Sequence, residues 1–183
     1  MNKALVIIDM QPFFFRNEER RVRYEDLIKN INEMIEYADN NNIKVFHVKT
    51  IHKKDKSTWN LVMKKHNFVA LLEEDDNSKF IEEINIKDHH EIVVKTRQST
   101  FIRTDFQERL RNNNIDTVIV SGVFTHGCVG RTAIDAYEHD FNVILAKDCS
   151  FSHLKDQEQV MFDVITKEQE QLVLSNQEII SMV

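Results

Sequence analysis

The hydrophobic positions along the chain form short apolar runs separated by segments of helical period. Six runs are almost wholly apolar and rich in β-branched residues, and we expect them to be strands: residues 4–8, 44–48, 92–94, 117–120, 142–145 and 171–174. Apolar runs without polar alternation are typical of strands buried on both faces, as in a parallel sheet. Between these runs, apolar residues recur at helical spacing, most clearly from Tyr24 to Ala38.

Strands that alternate with helices indicate an α/β fold with a mostly parallel sheet and helices on both faces. Residues 50–90 are less regular and highly charged, so we expect them to carry a short helix or two and to cover one end of the sheet. The chain has no linker or low-complexity tract, and its 183 residues are predicted to form a single domain over 1–183.

Charge and composition exclude several classes of partner. The chain has 24 Lys and Arg against 30 Asp and Glu, a net charge of −6, so it lacks the basic surplus that nucleic-acid binding needs. No apolar run approaches the roughly 20 residues that span a bilayer, and the first residues lack a signal-peptide pattern. Two cysteines are too few for a disulfide scaffold. We therefore expect a cytoplasmic protein with neither a nucleic-acid nor a membrane partner.

An acid, a cation and a thiol follow three of the predicted strands. Asp9 comes directly after the first strand, Lys95 directly after the third, and Cys128 shortly after the fourth. Ligands of an open parallel sheet bind at the carboxyl ends of its strands, so these three side chains are predicted to lie close together.

The three glycines of the chain, at positions 122, 127 and 130, all surround Cys128. We expect this thiol at the start of a helix, where free N–H groups and a nearby Lys95 lower its pKa and Asp9 accepts its proton. The structural alternative is that Cys128 is a small buried hydrophobic residue. Cys149 has neither glycines nor a helix start beside it and is expected to be structural.

Three segments resemble the isochorismatase-like cysteine hydrolases. They are VIIDMQPFF (residues 6–14), VVKTRQSTF (93–101) and SGVFTHGCVGRTA (121–133), which are similar to the opening strand, the lysine segment and the nucleophile loop of that family. The motifs appear in the family's order, and the likeness extends from about residue 3 to 175. The resemblance implies a three-layer sandwich around a six-stranded parallel sheet of order 3-2-1-4-5-6. It also implies a homodimer or a higher homo-oligomer.

Carried over by position, the resemblance implies that Asp9 is the base, Lys95 the electrostatic partner and Cys128 the nucleophile. It further implies a cis peptide between Val123 and Phe124 and an oxyanion hole formed by the backbone N–H groups of Phe124 and Cys128. The implied reaction is hydrolysis of an amide or ureido-type C–N bond of a small molecule through a thioester, without a cofactor. Two alternatives stay open: vinyl-ether or ester hydrolysis that does not use the thiol, and a non-catalytic or redox-sensing α/β protein.

Further residues are candidates for contact with substrate, each with a structural alternative in the core or at a helix start: Gln11, Phe14, Trp59, Phe101 and His126. Arg97 is a candidate for binding a substrate carboxylate, although a single Arg after a strand also commonly forms a structural pair.

Histidines raise the question of a metal. The nicotinamidase branch of the family holds zinc with an Asp-x-His pair after the second strand, where this chain has Thr50, Ile51 and His52. Because the aspartate is absent, no metal site is predicted there. His89 and His90 precede the third strand and are expected to form a solvated turn.

Overall fold

The computed structural model describes residues 1–182 and contains one six-stranded sheet in which every neighbouring pair is parallel. The strand order is 3-2-1-4-5-6, as the resemblance implied. The strands are β1 (Lys3–Ile8), β2 (Lys44–Thr50), β3 (Glu91–Lys95), β4 (Thr117–Val123), β5 (Asn142–Phe151) and β6 (Leu172–Leu174). The predicted α/β class is therefore confirmed.

Seven α-helices accompany the sheet in the part of the chain that the structure describes: α1 (Glu18–Arg21), α2 (Tyr24–Asn40), α3 (Leu61–His66), α4 (Phe106–Asn112), α5 (Gly130–Glu138), α6 (Lys155–Asp163) and α7 (Asn176–Ile180). Short 3₁₀ turns cover Pro12–Phe15 and Asp76–Ser78, and π-type turns cover Thr125–Val129 and Val164–Glu168. None of the helices within residues 1–182 has the length and apolar character to cross a bilayer.

The sheet has a hydrophobic core on each face, and β1 supplies both. Leu5 and Ile7 pack with the apolar stripe of α2, whereas Val6 and Ile8 pack with residues of α4 and α5. Successive side chains of a strand point to opposite faces, so a continuous apolar run such as residues 4–8 serves two cores at once. This double burial fixes β1 at the centre of the sheet.

Two strands continue beyond the apolar runs that predicted them. β4 extends to Val123 and β5 to Phe151, and they pair again at Gly122 with Ser150 after a shift in register. Between these two sets of pairs, β5 passes through the polar positions Lys147 and Asp148, which have no apolar signal in the sequence.

The end of β4 depends on a glycine. Gly122 has φ of +106°, and a Cβ at this position would lie 2.0 Å from the main-chain oxygen of Ile8. A glycine here therefore lets β4 approach β1 closely where both strands end. As a result the loops after β1 and β4, with Asp9 and Cys128, start side by side.

Candidate active site

The acid of the site is held by the backbone at the end of β1. Asp9 adopts φ of +58°, a left-handed conformation that aspartate tolerates better than most residues. Its N–H donates to the carbonyl oxygen of Val48 at 2.8 Å, which ties it to β2. Its side chain is completely buried and faces the ends of β2 and β3, where Thr50 and Lys95 are partners in the strand register.

A closed network of hydrogen bonds joins these three side chains. Lys95 Nζ donates to Asp9 Oδ2 at 2.7 Å, to Thr50 Oγ1 at 2.7 Å and to the carbonyl oxygen of Arg97 at 3.1 Å. The Thr50 hydroxyl in turn donates to Asp9 Oδ1 at 2.9 Å. The ammonium thus has at least three oxygen acceptors around it, which is what a buried charge requires.

The ion pair keeps its charges in spite of burial. Burial lowers the pKa of Lys95, but the attraction of Asp9 and Cys128 outweighs it, and the net pKa is raised. Lys95 is therefore an ammonium at every physiological pH. The pair of Lys95 and Asp9 has no net charge.

The sequence predicted that Cys128 lies on the first turn of a regular helix. The structure instead places it on the turn before α5. The turn Thr125–Val129 contains Gly127 at φ −118° and ψ −110°, and regular helix begins only at Gly130. The peptide bond between Val123 and Phe124, at the entry to this turn, is cis. The Cys128 thiol lies beside Asp9 and Lys95, close enough for both to shift its pKa through hydrogen bonds.

The expectation of a lowered thiol pKa is wrong. Burial and the negative charge of Asp9 raise the pKa of Cys128 to about 12, and Lys95 opposes them only in part. The physical reason is that Lys95 already neutralises one anion, so a thiolate would add an uncompensated negative charge to a buried site. The resting site accordingly holds a protonated Lys95 and a neutral thiol.

The network opens on a cavity of about 890 Å³. Cys128, Lys95 and Thr50 line its inner end, and its walls are mainly apolar: Phe13, Phe14, Trp59, Leu61, Val62, Met63, Phe68, Ala70 and Leu71. Trp59 is buried, and its indole N–H donates to the carbonyl oxygen of Lys53 at 2.9 Å. Phe14 and Trp59, two of the candidates for substrate contact, are thus placed at the cavity.

The structure places the other three candidates away from the cavity lining. Gln11 is buried, and its amide bridges main-chain atoms of Thr50 and Ser78, at 2.9 Å, 3.1 Å and 2.7 Å. Phe101 packs within the core between the sheet and α4. His126 stacks on the ring of Phe124, and its Nδ1 lies 2.6 Å from Ser152 Oγ.

Sequence reasoning missed Thr50 as a member of the site. Its position two residues after the apolar run 44–48 was the available signal, because the carboxyl end of each neighbouring strand contributes to the same edge. Lys64 and Arg103 also line the cavity and were not singled out. Lys64 lies on the short helix α3 and Arg103 on a turn, so neither follows a strand end, which was the signal that identified the other site residues.

The three histidines in and after β2 do not converge on one point. His52 is buried at the cavity wall, where burial lowers its pKa, whereas His47 lies within β2 and His66 is exposed at the end of α3. Within residues 1–182, the one group with metal-ligand atoms close together is Asp39, His89 and His90, whose atoms lie within 4.8 Å of one another. This group lies at the opposite edge of the sheet, beside the start of β3.

Hydrogen bonds within the protein already occupy that group. Lys87 Nζ binds one oxygen of Asp39 at 2.5 Å, and both histidines contact the other at 2.9 Å and 3.0 Å. His90 Nδ1 accepts from the N–H of Lys87 at 3.1 Å and lies 3.0 Å from His47 Nε2. The expected solvated turn is wrong for His90, because its side chain is fully buried and only His89 is exposed.

The fold is a parallel sheet of order 3-2-1-4-5-6 that carries an acid, a lysine and a cysteine at neighbouring strand ends. Comparison with known proteins identifies the family that has this arrangement. The isochorismatase domain model matches residues 3–177. The chain belongs to the isochorismatase family.

Individual relatives are more distant. A maleamate amidohydrolase of Pseudomonas putida is 31% identical over 77 residues, which are 42% of this chain and 36% of that protein. Enterobactin synthase component B of Escherichia coli is 26% identical over 157 residues, which are 84% of this chain and 54% of that protein. The chain thus spans about half the length, or less, of these curated relatives. The N-carbamoylsarcosine amidase structure of Thermoplasma acidophilum superposes with a TM-score of 0.83 at 24% identity, covering 96% of this chain and 97% of the other.

Proposed function

We propose that this protein hydrolyses an amide or ureido-type C–N bond of a small molecule, with Cys128 as nucleophile, Asp9 as general base and acid, and Lys95 as the fixed cation beside them. The observation that carries the proposal is the buried network of Asp9, Lys95 and Thr50 against a thiol at the inner end of an open cavity. A buried lysine and aspartate that are fully hydrogen-bonded next to a thiol are typical of a catalytic site.

Charge conservation explains how a thiol with a raised pKa reacts. As Cys128 Sγ attacks the substrate carbonyl carbon, its proton passes to the Asp9 carboxylate, so one anion disappears as the other forms. The site keeps the same net charge, and Lys95 stays protonated throughout. In this proposal the developing oxyanion accepts hydrogen bonds from the backbone N–H groups of Phe124 and Cys128.

The remaining steps return the site to its starting state. Asp9 gives its proton to the leaving nitrogen, the C–N bond breaks, and ammonia or an amine departs from a thioester on Cys128. Asp9 then takes a proton from water, whose oxygen attacks the thioester carbon. The C–S bond breaks, the thiol recovers its proton from Asp9, and a carboxylic acid or carbamate is released.

Relatives support the choice of bond. One curated relative is a maleamate amidohydrolase, and a protein that shares the fold is an N-carbamoylsarcosine amidase. Both of these proteins are amidases by name.

The test is to trap the acyl-enzyme. The protein is incubated with a panel of small primary amides and ureido acids, quenched in acid within milliseconds, and analysed by intact mass and peptide mapping. We expect a mass increase on Cys128 equal to the acyl group, together with ammonia release. Cys128→Ser is expected to lose turnover by at least 10³-fold. Turnover that is unaffected by this substitution would contradict the proposal.

One alternative has a specific observation in its favour. Because the pKa of Cys128 is raised, its thiol is protonated at rest. In this alternative, Asp9 and Lys95 hydrolyse a vinyl ether or an ester without using the thiol. That activity would survive in Cys128→Ser. The same raised pKa argues against a redox sensor, since oxidation of cysteine proceeds through the thiolate.

A further inference from the structure

Three cations besides Lys95, which Asp9 already neutralises, line the active-site cavity. Lys64, Arg97 and Arg103 belong to the lining in addition to Lys95, and none of the lining residues described is Asp or Glu. The chain as a whole has a net charge of −6, so this region has the opposite sign from the protein that surrounds it. Clefts lined by one sign of charge concentrate ligands of the other sign.

These cations differ from the lysines of the outer surface. Lys54 pairs with Glu74 at 2.6 Å and Lys79 with Asp76 at 2.7 Å. Within the described residues 1–182, by contrast, no carboxylate pairs with Lys64, Arg97 or Arg103. Burial and the positive charge of Arg103 lower the pKa of Arg97, which shows that the two guanidinium groups act on each other. An anion between them would relieve that repulsion.

The backbone fixes the direction of Arg97. Its Nη1 donates to the carbonyl oxygens of Thr58 at 2.7 Å and Thr96 at 2.6 Å, so one corner of the guanidinium is anchored. The other N–H groups of this planar fork remain for a ligand, and a fork suits the two oxygens of a carboxylate.

Arg97 is also tied to the reacting groups. Lys95 Nζ donates to the Arg97 carbonyl oxygen at 3.1 Å, and Lys95 is itself bonded to Asp9. Two other polar side chains at the cavity are committed to structure: the Trp59 indole to Lys53, and Asn60 to the start of α3. The remaining polar lining residues, His52, Thr96 and Gln98, are not acidic or permanently charged, so arginine and lysine are the cations available to bind an anionic substituent of the substrate.

We propose that the substrate carries a carboxylate a few atoms from the bond that is cleaved, and that Arg97, with Arg103 and Lys64 at the mouth, binds this carboxylate. The inference rests on the proposed function for the identity of the cleaved bond. The substrate class is the monoamides or ureido derivatives of small carboxylic acids.

The test compares two amides of nearly equal shape that differ in one charge. Succinamate carries a carboxylate, and succinamide replaces it with a second neutral amide. Ammonia release is measured for both at low and at 0.5 M salt. We expect kcat/KM for succinamate to exceed that for succinamide by at least tenfold, with the preference shrinking at high salt because exposed charges are screened.

Substitutions test which residues produce the preference for succinamate over succinamide. Arg97→Gln is expected to reduce the preference at least tenfold through KM for succinamate, a larger loss than in kcat/KM for succinamide. Arg103→Gln changes an exposed side chain without risk to the fold and is expected to act in the same direction. Lys65→Gln is the matched control, because Lys65 is exposed and adjacent to Lys64 but outside the cavity lining. Equal kcat/KM values for the two amides, or equal losses for both in Arg97→Gln, would overturn the proposal.

A binding measurement separates this inference from the proposed reaction. Succinate, succinamide and inorganic phosphate are titrated calorimetrically into Cys128→Ser protein with and without Arg97→Gln. Succinate binding that is lost with Arg97→Gln supports the carboxylate site even where neither amide turns over, in which case only the thioester mechanism fails. Phosphate binding as tight as succinate, or no preference for succinate over succinamide, overturns the assignment to a carboxylate.

Discussion

The charge state of the Cys128 thiol is the point at which the structure makes its sharpest prediction. Asp9→Asn removes the anion that, after burial, contributes most to raising the pKa of the thiol, while Lys95 remains beside it. We therefore expect the substitution to make Cys128 more reactive toward an alkylating agent. A site that held a thiolate and lysine pair at rest would respond in the opposite direction, because the loss of Asp9 would then remove the proton acceptor.

The magnitude can be worked out from the pKa. At a pKa of about 12, about 10⁻⁴ of Cys128 is thiolate at pH 8, whereas an ordinary thiol of pKa about 8.5 is about one-quarter thiolate. A more basic thiolate is intrinsically more nucleophilic, with a Brønsted slope of about 0.4–0.5, and this recovers part of the difference. The net expectation is alkylation of the wild-type thiol about 10²-fold slower than that of an ordinary exposed thiol. Each unit by which Asp9→Asn lowers the pKa corresponds to about 1.4 kcal/mol.

The assay is the pH dependence of iodoacetamide alkylation between pH 6 and 10, followed by peptide mass spectrometry. Cys149 provides an internal control, because it is fully buried and its thiol donates to Asn176 Oδ1 at 3.0 Å. We expect no plateau for wild-type Cys128 in this range, and at least tenfold faster alkylation at pH 8 in Asp9→Asn. A wild-type midpoint at or below pH 8.5, together with slower alkylation in Asp9→Asn, would refute the reasoning.

Three further predictions concern the network, the pH dependence of stability and the strand ends. Thr50→Val removes the hydroxyl that bridges Asp9 and Lys95, and should lower kcat by 10- to 100-fold and the free energy of unfolding by about 1–3 kcal/mol, while Thr50→Ser restores most of both in steady-state and urea measurements. Burial lowers the pKa of His47 to about 3 from an ordinary 6.5, so below pH 6.5 the unfolded chain binds a proton that the folded chain does not. The free energy of unfolding should therefore fall as pH decreases from 6.5 toward 3, by about 2 kcal/mol at pH 5. The measurement is urea unfolding of wild type and His47→Gln at pH 6.5 and at pH 5, and an equal fall in the two proteins would show that His47 is not the cause. Gly122→Ala places a Cβ 2.0 Å from a main-chain oxygen of β1, so soluble expression or thermal stability should drop severely, and a melting temperature within 3 °C of wild type would contradict the close approach of the two strands.

Strand ends were the part of the site that local sequence predicted best. Asp9, Lys95 and Cys128 each come after an apolar run, and in a parallel sheet all such ends meet at one edge. Thr50 obeys the same rule but carries no charge, so only the position of its hydroxyl between Asp9 and Lys95 reveals its role. Site residues were therefore predicted more reliably from their position after a strand than from the chemical type of their side chain.

Side chains near a motif were harder to assign. Gln11 lies two residues from Asp9, yet its amide holds the backbone of Thr50 and Ser78, and Phe101 turns into the core. Neighbours along a loop can point to either side of it, and the choice depends on which backbone groups need partners. Arg103 lines the cavity from an exposed position with φ of +62°, a conformation with no signal in its sequence.

The sequence by itself determined the α/β class, the parallel sheet and the three chemical groups at its edge, because these depend on apolar periodicity and on the residues placed directly after each strand. Only the tertiary structure decided the protonation of Cys128, the place of Thr50 between the charges, and the unpaired cations around Arg97. Those properties are set by distances between residues far apart in the chain, and by how many opposite charges share one buried volume. Periodicity along a single chain carries no information about either.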